Sequence, residues 1–308
     1  MVGAAEGLGR DGALVRTAWL VTGARGQLGH DLLDVLSNRT GDAVTAVGRQ
    51  EMDLTDESSV RSVVRAWIAS SADVDRRVLV NAAAYTAVDA AEADEETALV
   101  VNGRAPGWMA QELDGRGRLV HVSTDYVFGG DADIPYPVDA PVAPRSAYGR
   151  TKAAGERAVQ EVDGDSSIVR TAWVYGRHGG NFVRTMTNLQ AQRETISVVD
   201  DQVGSPTWSA DLAAGLVGLG VAEGPVAPVL HYTNTGAVSW HGLARAVFEE
   251  LGADPARVLR TSSADFVRPA PRPAYSVLDG SDWDAAGLPE RQDWRTALAC
   301  AMSVGFKD

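Results

Sequence analysis

The chain has 308 residues, 45% hydrophobic and 22% charged, enough to bury one large domain plus a smaller lobe. Its formal net charge of -13 disfavours nonspecific nucleic-acid binding and supplies no basic patch for an anionic membrane. A lone cysteine, Cys300, excludes an intramolecular disulfide, and no apolar run approaches a membrane span, so small-molecule chemistry in the cytoplasm is the expectation.

Residues 1–12 carry four glycines and three charges without an apolar h-region, and they read as a flexible tail rather than a signal peptide. From Ala18 to Val174 short apolar runs alternate with helical segments, which predicts βαβ units and a mostly parallel sheet. Strands are expected at Trp19–Thr22, Val44–Val47, Val78–Asn81, Leu119–Ser123 and Ile168–Thr171. Val60, Val63, Val64, Trp67 and Ile68 fall at i, i+3, i+4, i+7 and i+8, the stripe of an amphipathic helix. After Arg177 the rhythm loosens into a strand at Ile196–Val199, a helix from Ser209 and a strand at Val229–Tyr232. Helices at Trp240–Glu250 and Trp294–Met302 follow, with Cys300 expected as a buried residue of the last. Arg268 to Pro273 is too proline-rich for a regular element.

Gly23, Gly26 and Gly29 follow the first strand and open a helix. There they either let the backbone approach a pyrophosphate or form an ordinary strand-to-helix turn. The second strand ends in Gly48-Arg49 with no acid beside it, which suits a 2′-phosphate, the alternative being a solvated arginine. Asp53 with Leu54 borders the adenine, or Asp53 caps the helix beginning near Asp56. Small residues at Asn81-Ala82-Ala83-Ala84 leave room for a ligand beyond the strand end. Thr124 ends the next strand, either beside a substrate carbonyl or as a turn cap. The five histidines show no metal-ligand spacing and read as structural or solvated.

Tyr148 and Lys152 are four residues apart, hence on one helix face if this segment is helical. An ammonium beneath the phenol favours phenolate. Bringing a tyrosine from about 10 to about 7 takes roughly 4 kcal/mol, which that ammonium and a nicotinamide cation together supply in a dry cleft. Tyr148 is then a usable acid or base at neutral pH.

These segments resemble the extended short-chain dehydrogenase/reductases and, within them, the dTDP-4-dehydrorhamnose reductase family. The resemblance rests on Thr22–Gly29, Asn81–Glu92, Ser123–Phe128, Tyr148–Lys152, Arg170–Tyr175 and Asp201–Thr207, which span almost the whole chain. It implies an α/β, Rossmann-type doubly wound parallel sheet with a smaller, sequence-interleaved lobe. The NADP-binding domain would comprise 13–175 with 209–238, and the substrate lobe 176–208 with 239–308. It implies Thr124, Tyr148 and Lys152 as the catalytic set. Around the cofactor it places Gly23, Arg25, Gly26, Gln27, Leu28, Gly29, Arg49, Asp53, Leu54, Asn81, Ala82, Ala83, Ala84 and Ser123. Around the sugar nucleotide it places Tyr85, Thr86, Val88, Asp125, Tyr126, Trp173, Asn181, Gln202 and Arg272. NADPH is the implied hydride donor, with NADH a second candidate, and a dTDP-sugar the substrate. Some members carry a metal between subunits on acidic residues, for which this chain offers Asp31 and Asp211; Mg2+ is not expected. Monomer and homodimer both stay open. A reductase of another dTDP-keto- or aldehydo-sugar, of the dihydrostreptose type, and a catalytically silent nucleotide-binding regulatory subunit are the alternative functions.

Overall fold

A computed structural model describes residues 15–305. The chain begins β1 (Thr17–Thr22), α1 (Gln27–Ser37), β2 (Ala43–Val47), α2 (Glu57–Ser70) and β3 (Arg76–Asn81). A helical stretch follows, made of α3 (Val88–Ala91), α4 (Glu95–Leu99), a π-helical turn over Val100–Arg104, and α5 (Ala105–Leu113). Then come β4 (Arg118–Thr124), α6 (Ala147–Gln160) and β5 (Ser166–Thr171). Strands β1 to β5 contain the five strands expected from the apolar runs, and the valine stripe lies on α2.

Six parallel strands form the central sheet in the order β10-β5-β4-β3-β1-β2, where β10 is Val229–His231. Alternation on β1 shows how it is covered. Trp19 and Val21 pack with Leu32 and Leu36 of α1 and Leu212, Leu216 and Leu219 of the later helix Ser209–Val221. Ala18 and Leu20 pack on the opposite side with Val60, Val64 and Trp67 of α2 and Met109 and Leu113 of α5. Helices on both faces define a doubly wound sheet, and the strand order reverses between β1 and β3, the place where such folds bind ligands.

Between β5 and β10 the chain forms β6 (Val174–Tyr175), α7 (Phe182–Gln192), β7 (Ile196–Val199), β8 (Val203–Gly204), β9 (Thr207–Trp208) and α8 (Ser209–Val221). After β10 come β11 (Val238–Ser239), α9 (Trp240–Glu250), β12 (Val258–Thr261), α10 (Ser281–Ala285) and α11 (Trp294–Val304). A separate core joins Tyr175, Val183, Val198, Val247, Phe248, Val258 and Leu298 from these elements. The chain therefore leaves the sheet, builds part of a second core, and returns through α8 and β10 before completing it.

Cys300 differs from expectation. Helix α11 buries Ala297, Leu298 and Ala301, and at about 100° per residue Cys300 is turned off that face and exposed. The expected tail over 1–12 lies outside the described residues. Among those described, no helix is long and apolar enough to cross a membrane.

Candidate active site

A cleft of about 1220 Å³ opens along the C-terminal ends of β1, β2, β3, β4 and β5. At one end the chain leaves β1 through Gly23 at φ +66°, a left-handed conformation that glycine adopts freely. A Cβ on Gly29 would sit 2.2 Å from the Gly23 carbonyl oxygen, so the turn closes tightly onto α1. Gly26 caps α1 without a side-chain acceptor, so no capping side chain takes the first backbone N–H groups. Gly23, Arg25, Gly26, Gln27, Leu28 and Gly29 all line this end.

Arg49, Asp53 and Leu54 line the cleft beyond β2. Asp53 does not cap α2; Asp56 does, accepting from Ser58 N, while Asp53 holds the Thr55 N–H at 2.9 Å. The acid missing from the end of β2 arrives four residues later, at Glu51. Glu51 accepts the Gly48 N–H at 2.9 Å and pairs with the exposed Arg25 guanidinium. The Gly48 backbone and the Arg25 charge hold the Glu51 carboxyl below its ordinary range. Glu51 is thus taken up by Arg25 and the Gly48 N–H, while Arg49 lines the cleft.

Helix α6 carries Tyr148 and Lys152 into the floor of the cleft, with Ser146 capping the helix through the Gly149 N–H at 3.1 Å. Lys152 is 1% exposed and donates to the Val122 carbonyl at 2.7 Å, with His121 Nε2 at 3.4 Å. Burial pushes the Lys152 ammonium down to about 8, opposed by the charge of Glu156. Burial also pushes the Tyr148 phenol up to about 12, with Thr124 offsetting part of the rise. In the ligand-free cleft desolvation dominates and Tyr148 is a phenol at neutral pH; the drop toward about 7 is expected of the cleft with the nicotinamide cation bound.

Thr124 closes β4 as the expected turn cap, on the wall of the cleft. Its Oγ1 caps the following turn by accepting from Tyr126 N at 3.3 Å, and it donates to Asp125 Oδ1 at 2.9 Å while lining the cleft. Burial pushes Asp125 up to about 6. Ser123 lines the floor but donates to Glu156 at 2.6 Å. Ala82, Ala83, Ala84, Tyr85, Thr86 and Val88 form the wall beyond β3, and the Tyr126 ring meets Tyr148 edge-on at 5.5 Å. Trp173 lines the far wall at φ +48°, stacked on Trp240 at 3.5 Å.

Four expected residues stand outside this lining. Asn81 is buried behind it, between Thr22 and His121. Asn181 caps α7 and bonds Gln27 Oε1 at 2.9 Å and the Gly176 carbonyl at 2.8 Å, tying the glycine-rich turn to the second lobe. Gln202 donates to Ser263, and Arg272 pairs with Asp89 at 2.9 Å. Sequence reading missed Met52, Thr97, Val101, Gly179 and Gly180 in the lining; none of them belongs to a polar motif. Asp31 and Asp211 do not converge. Asp31 accepts from Ser209 near Asp34 and His178, whose ligand atoms all lie within 4.8 Å of one another, whereas Asp211 receives Asn234 and Gln292 amides.

Residues 17–304 match the family model described as RmlD substrate binding domain. The chain belongs to this family. It is 51% identical over 288 residues to a dTDP-4-dehydrorhamnose reductase of Streptomyces griseus, with 92% of each chain covered. It is 49% identical to a probable dTDP-4,6-dihydroxy-2-methyloxan-3-one 4-ketoreductase of Streptomyces antibioticus, covering 91% and 92%. Among solved structures it resembles the dTDP-4-dehydrorhamnose reductase of Bacillus anthracis in complex with NADP, at TM-score 0.86 and 34% identity over 93% of this chain and 99% of that one. The RmlD family resemblance read from the motifs therefore holds across both lobes.

Proposed function

We propose that this chain transfers hydride from NADPH to the 4-keto carbon of dTDP-4-dehydro-L-rhamnose, giving dTDP-L-rhamnose. The observation that carries the reading is the Tyr148–Lys152 face of α6 beside Thr124, on the floor of a cleft whose other end is an open glycine-rich turn. A dinucleotide fits that end. Gly29 has no room for a Cβ, Gly23 adopts positive φ, and the bare N-terminus of α1 offers backbone donors to a pyrophosphate. Bound there, NADPH supplies the hydride.

The chain's own residues supply the rest. Arg25 and Arg49 border the strand end that would meet a 2′-phosphate, with Glu51 setting how free Arg25 is to respond. Tyr148 keeps its proton in the empty cleft and gives it to the carbonyl oxygen as charge develops there. Thr124 donates to that oxygen in place of Asp125, and Lys152 holds the nicotinamide ribose while stabilising the resulting phenolate. Tyr85, Val88 and Trp173 wall the sugar from water. Arg272 reaches a diphosphate only by leaving Asp89. The proposed step invokes no metal, and we assign it to the cytoplasm and to a monomer or homodimer built from domains 13–175 with 209–238 and 176–208 with 239–308.

The Streptomyces antibioticus relative, a ketoreductase by name, differs by only two points of identity from the Streptomyces griseus reductase, which favours one rival, a reductase of another dTDP-sugar. Steady-state NADPH oxidation separates them. We expect dTDP-4-dehydro-L-rhamnose to exceed a dTDP-pentodialdose and other dTDP-4-keto-hexoses at least ~10-fold in kcat/KM, and the free sugar to be poor because remote binding energy orients the keto group. Preference for another dTDP-sugar reassigns the substrate; no turnover with NADPH bound favours the regulatory role.

A further inference from the structure

Beneath Lys152 lies a chain of buried polar side chains that the proposed reaction does not use. Thr22, Asn81, His121 and Lys152 are each at most 1% exposed. Thr22 Oγ1 donates to Asn81 Oδ1 at 2.6 Å, Asn81 Nδ2 lies 3.0 Å from His121 Nδ1, and His121 Nε2 lies 3.4 Å from Lys152 Nζ. The direction of this chain follows from one backbone group. The Ala83 N–H, which can only donate, points at Asn81 Oδ1 at 3.3 Å and at Thr22 Oγ1 at 3.4 Å. Turning the Asn81 amide over would set its NH2 against that N–H. Its nitrogen therefore faces His121, and His121 Nδ1 is the acceptor.

A neutral imidazole has one acceptor and one donor, so a proton absent from Nδ1 is present on Nε2. Burial and the Lys152 charge hold the His121 imidazolium well below its ordinary range, which keeps the ring neutral. Its Nε2–H then points at Lys152, so the lysine nitrogen has the Val122 carbonyl as an acceptor on one side and a donor on the His121 side. An ammonium would present a third N–H to a donor.

We infer that His121 is a positioning residue for Lys152: the one-way chain Thr22–Asn81–His121 turns an N–H toward the lysine nitrogen and weakens its hold on the ammonium proton until ribose hydroxyls bind. This rests on the reading of Lys152 as the ribose-binding member of the catalytic set. Cofactor binding then brings acceptors for the ammonium, and the charge that assists Tyr148 is held more firmly in the loaded cleft. The other ionisable groups on the elements around Lys152 do not reverse this. Glu156, next along the same face of α6, favours the ammonium but is forked by Arg170 of β5 and takes the Ser123 hydroxyl of β4. Tyr148 is a neutral phenol, and Asp125, beyond β4, receives Thr124.

The chain's only lysines are Lys152 and Lys307, so 13C-lysine labelling gives two signals, distinguished by Lys307→Arg. In ligand-free, 15N-histidine-labelled protein we expect His121, identified by loss of its signals in His121→Gln, to carry its proton on Nε2 between pH 6 and 9. Lys152 should titrate at least one pH unit below Lys307. Asn81→Asp places a carboxylate that takes the Nδ1–H, reverses the tautomer and raises the Lys152 midpoint by at least one unit. Asn81→Asp/His121→Phe keeps the carboxylate without the imidazole and should raise it less. A wild-type Nδ1–H tautomer overturns the inference, as does an equal rise in the single and double variants, which would assign the effect to charge alone. The wild-type tautomer decides the matter if the variants do not fold. None of these readouts uses a sugar nucleotide, so a wrong substrate assignment leaves them unmoved.

Discussion

Gly204, in the Asp201–Thr207 motif, owes its identity to Trp173, and the two make a sharp test of the sugar-facing wall. A Cβ added there would lie 2.5 Å from Trp173 Cε2 and 2.7 Å from Nε1, closer than real atoms approach. The indole has little slack, because it stacks on Trp240 at 3.5 Å with an interplanar angle of 5° and its backbone already sits at φ +48°. Gly204→Ala must therefore push the ring toward the cleft it lines. Overpacking of this kind costs about 1–3 kcal/mol, which corresponds to a loss of roughly 5- to 150-fold if it falls on sugar binding. The expected result is a raised KM and reduced kcat/KM for the dTDP-sugar, while the NADPH Kd changes by less than about threefold because the glycine-rich turn lies at the other end of the cleft. Trp173→Phe should relieve the clash, so the cost of Gly204→Ala measured in that background should shrink by at least ~1 kcal/mol. Wild-type kcat/KM and Tm in Gly204→Ala would refute the argument.

Tyr148→Phe should lower kcat by at least ~10²-fold with the NADPH Kd nearly unchanged; single-turnover kinetics and fluorescence titration check the two halves. Glu51→Gln frees Arg25 and removes a negative charge near the end of β2, so the ratio of kcat/KM for NADPH over NADH should rise several-fold, while Arg49→Ala should lower it. Asp125 is raised to about 6 from an unfolded 3.8, so its stabilising contribution is complete below pH 4 and lost as pH rises through 6. Asp125→Asn, which cannot ionise, should gain up to ~3 kcal/mol on wild type between pH 4 and pH 8 in urea melts; an unchanged difference would show that Asp125 is not the titrating group.

The sheet was legible because its central strands are buried on both faces and leave continuous apolar runs, and because the helix stripe over Val60 to Ile68 repeats at the helical period. The Tyr148–Lys152 pair was legible for a local reason, since four-residue spacing fixes a shared helix face. Long-range polar pairing left no such mark. Asn181, Gln202 and Arg272 are polar residues at expected positions, yet their atoms are already committed to Gln27, Ser263 and Asp89, partners up to 183 residues away for which spacing gives no signal. Glu51 leaves no mark at the strand end, because it does not stand at the residue where a strand-borne carboxylate would. Here the acid folds back from a turn onto the Gly48 N–H. The positive φ of Trp173 has no mark in the sequence pattern, and its ring stacks on Trp240, 67 residues on.

The same face of α6 carries a third member, Glu156, that explains why the pair stays in register. Tyr148, Lys152 and Glu156 recur every fourth residue, and all are buried. Glu156 receives Arg170 Nε at 2.9 Å and Nη2 at 2.7 Å from β5, and Ser123 Oγ at 2.6 Å from β4, so one carboxylate pins the helix to two adjacent strands. Arg170 is held in turn by the Val138 carbonyl at 3.0 Å and faces His231 Nε2 at 3.4 Å, while His231 gives its Nδ1–H to Asp279. Burial and the Arg170 charge push His231 down to about 4, which keeps it an acceptor toward the guanidinium at neutral pH. Such a pair contributes little net stability over an apolar substitute, but removing one partner strands a buried charge at a cost of roughly 3–5 kcal/mol. Its role here is geometric: a slip of α6 by one residue would rotate Tyr148 and Lys152 by about 100° off the floor of the cleft, and the Glu156 fork is what that slip would have to break.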